Sequence, residues 1–140
     1  MKLQQFQMIK AYPKKYPVSL LLIAAIWVLC FIDVPETPLD DVSLIDKWTH
    51  VAMYGVTCGV IWLEYLLRHR RISPRRLFAF AFAAPIIMGG VIELLQAYCT
   101  GGRRSGEWLD FAADAAGVIL AACAGTLLAW RRTRAGKAYV

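Results

Sequence analysis

The chain reads as an all-α membrane protein of four transmembrane helices with both termini cytoplasmic, and three observations predict that class. Hydrophobic residues make up 59% of its 140 residues and its mean hydropathy is +0.48, more apolar than the roughly half-apolar composition of a soluble domain. The apolar residues gather into four runs, Val18 to Ile32, Trp48 to Leu67, Leu77 to Cys99 and Trp108 to Trp130. Those runs sort the charges, with thirteen of the sixteen Lys and Arg on one side of a membrane and nine of the ten acids on the other.

At ~1.5 Å rise per residue, roughly 20 residues cross a hydrocarbon core of about 30 Å. The second, third and fourth runs reach that length. The first is shorter and gains from Tyr16 and Pro17 or spans a locally thin region. The predicted helices are about 17–33, 47–67, 77–99 and 108–130, in one membrane domain over 1–140. The stretch after the first run, Phe31-Ile32-Asp33-Val34-Pro35-Glu36, lacks a small-x-small cleavage site. The first run therefore reads as a signal anchor rather than a cleaved signal peptide.

Net charge is +6, yet its distribution argues against a nucleic-acid partner. Lys2, Lys10, Lys14 and Lys15 precede the first run, and Arg68, Arg70, Arg71, Arg75 and Arg76 lie between the second and third. Arg131, Arg132, Arg134 and Lys137 follow the fourth, while the other two connections hold only Lys47, Arg103 and Arg104. The positive-inside rule then orients both termini to the cytoplasm of a cell membrane.

Each of the four cysteines, Cys30, Cys58, Cys99 and Cys123, lies within an apolar run and none forms a Cys-x-x-Cys pair. Buried free thiols are expected. His50 with Asp and Glu could make a metal site, yet no His-x-x-x-His or Glu-x-x-His spacing occurs, so no metal or other cofactor is expected.

The chemistry-bearing residues sit at the ends of three runs that the topology brings to one outer face. At the start of the second run, Asp46 and His50 are one helical turn apart with Lys47 between them, so Asp46 can orient the imidazole. The third carries Gly89, Gly90, Glu93 and Gln96 in its outward half. The glycines permit close helix approach, which turns Glu93 into the bundle. The loop Thr100-Gly101-Gly102-Arg103-Arg104-Ser105-Gly106-Glu107 could wrap an anion with backbone N–H groups and two guanidinium forks. As a plain turn, it would instead pair an arginine with a nearby acid. In the fourth run Asp110 and Asp114 share a face that Gly117, Ala121 and Gly125 continue as a small-residue stripe. Ionisable groups beside hydrocarbon are costly and therefore mark a site.

Asp46-Lys47-x-x-His50, Glu93-x-x-Gln96, Arg104-Ser105 and Asp110-x-x-x-Asp114-x-x-Gly117, in that order and at those span ends, resemble the pattern of the VanZ-like family of small bacterial membrane proteins. The likeness covers about residues 46–125, and it departs at Asp114, where the family pattern often has Asn. It implies an envelope-associated protein, the family being linked to resistance to glycopeptides, chiefly teicoplanin. No reaction is implied, because none is attached to the family as a whole.

Two functions follow as expectations. One is an accessory or binding protein whose outer pocket takes an anionic envelope lipid, glycan precursor or glycopeptide, with Arg103 and Arg104 on the anion and Lys47 and His50 donating hydrogen bonds. There Glu93, Asp110 and Asp114 hold those cations in place. The other is an intramembrane enzyme on a lipid-linked substrate, with His50 as general base, Glu93 or Asp114 as acid and Arg104 stabilising developing charge. No strong nucleophile accompanies it. Proton-coupled transport needs polar residues through the membrane, and the inner halves hold only Glu64.

Overall fold

A computed structural model describes residues 15–33 and 44–137. Lys2, Lys10, Lys14, Glu36, Asp40 and Asp41, used above to sort the charges, lie outside the described residues. Among the described residues, four helices make up the bundle, α1 (Pro17–Phe31), α2 (Ile45–Arg68), α3 (Pro74–Cys99) and α4 (Trp108–Lys137). Three of them, α2, α3 and α4, are long and apolar enough to cross a membrane, the mark of a multi-pass membrane protein. At 15 residues, or about 22 Å, α1 is apolar but falls short of that length by itself.

Lipid-like exposure follows from the burial pattern. Leu21, Leu67, Ile87, Leu109 and Leu120 are among many large apolar side chains on the outer surface, far beyond the scattered apolar residues of a soluble monomer. Cys99 and Cys123 belong to this exposed set, which corrects the expectation of four buried thiols; Cys30 and Cys58 are buried, and all four are free.

The tightest packing joins α2 and α4, which run parallel. His50 meets Asp114 near their starts, Gly55 faces Gly117 in the middle, and Trp62 faces Gly125 further on. Gly117, Ala121 and Gly125 are buried, so the small-residue stripe faces the bundle as expected. The other two helices run against this pair. The C-terminal end of α1 meets that of α3 through Gln96 Nε2, which donates to Cys30 O at 2.8 Å.

At the opposite end, Glu64 of α2 caps α1. Its carboxylate accepts the N–H of Ser19 at 3.1 Å, the N–H of Val18 at 3.3 Å and the Ser19 hydroxyl at 2.6 Å. Tyr16, the residue preceding α1, makes no side-chain cap, so a neighbouring helix supplies the negative charge that an N-terminus favours. Arg132 of α4 donates to Leu66 O near the end of α2. Helix α4 runs seven residues beyond the predicted end, with the Arg134 guanidinium 3.9 Å above the Trp130 ring.

Within α3, Ala79–Ala83 forms a π-helical turn in which Ala84 N–H bonds Ala79 O. Pro85 follows directly. Proline has no N–H and crowds the carbonyl four residues back, and a wider turn relieves that crowding.

Candidate functional site

The polar residues named from the sequence gather at the bundle end built from the C-termini of α1 and α3 and the N-termini of α2 and α4. Two layers form there. In the outer one, Lys47 Nζ sits among three carboxylates, 2.6 Å from Asp46 Oδ2, 2.7 Å from Glu107 Oε2 and 2.7 Å from Asp110 Oδ1. The first two contacts are aligned hydrogen bonds; the Asp110 contact is an ion pair whose carboxylate oxygen has no aligned hydrogen bond. Asp46 is more than half exposed and Asp110 nearly buried. Lys47 is therefore engaged by three protein acids.

The inner layer lies one turn deeper. His50 Nδ1 is 2.8 Å from Asp114 Oδ1, and Asp114 is 1% exposed. The carboxylate that orients the imidazole thus comes from α4, not from Asp46 on the same helix; Asp46 turns to Lys47 instead. Glu93 is buried, and its Oε2 accepts the N–H of Glu107 at 2.8 Å. That bond depends on Gly106, where a Cβ would collide with Glu93 O, so only glycine lets the loop close over α3. One ligand atom each from His50, Glu93 and Asp114 lies within 4.8 Å of the others. Glu93 Oε1, Asp114 Oδ2 and the Tyr54 hydroxyl are buried without a hydrogen-bond partner among the described residues.

The remaining residues separate from this core. Gln96 ties α3 to α1. Arg103 is exposed and makes a long contact to Asp33, Nη1 to Oδ1 at 3.4 Å, the pairing expected of a plain turn. Arg104 donates Nη2 to Leu29 O at 3.1 Å, and its Nε is buried without a partner. Three of the loop's N–H groups are taken up within the protein. Arg103 N–H bonds Thr100 O, Arg104 N–H bonds the Thr100 hydroxyl, and Glu107 N–H bonds Glu93.

Glu107 and Thr100 were missed as site residues. Their sequence signals were available, since Glu107 immediately precedes the α4 N-terminus, a place that favours acids, and Thr100 follows the α3 C-terminus, where a hydroxyl can bond loop N–H groups. An apolar cavity of about 360 Å³ lies elsewhere, between Trp62, Leu77, Phe78 and Ala122, and has no part in this cluster.

Fold and site together define a multi-pass helical membrane protein with a charged cluster at one end of the bundle. No protein-family model, curated protein or solved structure matches the chain.

Proposed function

We propose that the chain is a four-span cell-membrane protein of the VanZ-like kind, termini cytoplasmic, whose clustered end faces outward and binds an anionic envelope ligand. That ligand is a phosphate- or carboxylate-bearing lipid, glycan precursor or glycopeptide. The observation that carries the reading is the Arg104 guanidinium, whose Nε is buried without a partner among the described residues at the end where His50, Glu93 and Asp114 converge from three helices. Structural polar groups in an apolar bundle pair off, because an unsatisfied one costs roughly 1–3 kcal/mol. Groups kept unpaired at one helix end are poised for something else.

The anion contact falls to the rim. Arg103 holds Asp33 through an exposed, long contact that contributes little and exchanges readily. Arg104 has donors to spare beside Leu29 O, and its planar fork suits phosphate or carboxylate. Purified protein in nanodiscs should retain a phosphate-bearing component of a bacterial envelope extract, read by native mass spectrometry. Retention should fall in the Arg103→Ala, Arg104→Ala double variant. Equal retention by both proteins would overturn the anion reading.

The His50–Asp114 pair favours a second reading, an intramembrane enzyme in which a carboxylate-oriented imidazole acts as general base. Ser105, a hydroxyl of the loop, is exposed and makes only a long 3.5 Å hydrogen bond to Glu107 Oε1. His50-dependent conversion of an envelope lipid extract would establish the enzyme; an unchanged lipid profile leaves the binding protein.

A further inference from the structure

We propose that His50, Glu93 and Asp114 form a binding site for one divalent transition-metal ion, of the zinc or manganese type. Nothing in the spacing along any one helix predicts it, since the three ligands come from α2, α3 and α4. The inference goes beyond the ligand reading above and stands whatever the envelope ligand is.

Three observations carry it. The first is the donor set, one imidazole nitrogen and two carboxylates with ligand atoms no more than 4.8 Å apart. Bonds of about 2.0–2.2 Å at tetrahedral angles need ligand atoms roughly 3–3.5 Å apart, a closure that side-chain rotation supplies. A nitrogen with two oxygens suits zinc, manganese or iron(II) better than the all-oxygen shells of calcium or magnesium.

The second is the division of labour within each carboxylate. Glu93 uses Oε2 to accept from the Glu107 N–H, and Asp114 uses Oδ1 to hold His50. Their other oxygens, Oε1 and Oδ2, are buried and unpartnered, on residues only 8% and 1% exposed. Metal ligands are commonly fixed in this way, one atom held by a protein hydrogen bond and another presented to the ion.

The third is the space kept for Asp114. A Cβ at Gly89 would stand 2.8 Å from Asp114 Oδ2. Gly89 and Glu93 are one turn apart on α3, so the same helix face clears room for one carboxylate and supplies the other.

Charge gives the physical reason. Five carboxylates, those of Asp46, Glu93, Glu107, Asp110 and Asp114, crowd an end of the bundle where Lys47 holds three of them, Arg103 and Arg104 turn to Asp33 and Leu29, and His50 lies against Asp114. Lys47 serves the outer layer, leaving Glu93 and Asp114 with only an imidazole. A divalent cation neutralises that pair at depth, and its open coordination position could then meet the anionic ligand drawn in by Arg103 and Arg104.

The test uses the full chain, purified in detergent with a tag free of histidine. Metal content by inductively coupled plasma mass spectrometry should approach stoichiometry, and chelator-treated protein should show a raised Tm on adding zinc or manganese chloride. Glu93→Gln and Asp114→Asn, which keep side-chain size, should each weaken binding by roughly tenfold or more, while Asp46→Asn retains it. Circular dichroism confirms that each variant is helical, and a variant that fails to fold is replaced by His50→Gln. Metal-free protein that no divalent cation stabilises would overturn the site, as would equal metal content in the Glu93 and Asp114 variants.

Discussion

Replacing Gly117 by alanine tests the parallel α2–α4 crossing on which the site depends. An ideal Cβ there would lie 2.5 Å from Val51 O, 2.8 Å from Gly55 N and 3.1 Å from Tyr54 Cβ. Two of those three atoms are backbone, so no rotamer change relieves the clash and the helices must move apart. Overpacking costs about 1–3 kcal/mol, and with backbone in the way the upper part of that range applies. Alanine in place of glycine inside a helix returns about 1 kcal/mol. The net loss is therefore about 1–2 kcal/mol. Gly90→Ala is the control, because its Cβ would meet Phe111 Cε2 at an ordinary 3.5 Å and keeps the helical gain of up to about 1 kcal/mol. The two variants should thus differ by about 2–3 kcal/mol, measured by unfolding in mixed micelles of rising denaturing-detergent fraction with far-ultraviolet circular dichroism. A Gly117→Ala protein as stable as Gly90→Ala would refute the close crossing, and with it the register that sets Asp114 against His50.

The interhelical cap at Glu64 makes a second claim. Glu64→Gln should destabilise by about 1–3 kcal/mol, since it weakens buried hydrogen bonds to a charged acceptor, and Ser19→Ala should add little on top because both changes remove the same bond. A double-mutant cycle by the same unfolding assay checks it, and additivity would count against the cap. Topology supplies the third. In a background with Cys99 replaced by alanine, a membrane-impermeant thiol reagent should label Ser105→Cys but not Ser73→Cys in intact cells, and the reverse pattern would invert the bundle.

Much of the bundle was legible because its signals are local. Apolar runs placed every helix end within about three residues except the last, where α4 runs on by seven, and the cost of charges beside lipid singled out Lys47, His50, Glu93, Asp110 and Asp114. What escaped was pairing. Helical spacing shows that Asp46 and His50 share a face, yet which acid reaches the imidazole depends on the α2–α4 register, set by glycine contacts far apart in the chain. The same limit hid the ligand trio, whose members are 43 and 21 residues apart. Arg103 was legible as either an anion contact or a turn residue, and the acid it meets, Asp33, lies just past the end of α1, seventy residues away in the chain.

The π turn in α3 works as a phase shifter. Leu77 and Glu93 are both buried, sixteen residues apart. In an unbroken α-helix, at about 100° per residue, they would point about 160° away from each other, one toward the core and one toward lipid. One residue's worth of extra winding at Ala79–Ala83 removes about 100° of that and leaves them about 60° apart. Deleting a single alanine from this turn would leave a plain α-helix with the same angle of about 60° between Leu77 and Glu93, so the turn takes up one extra residue while keeping Glu93 in the cluster.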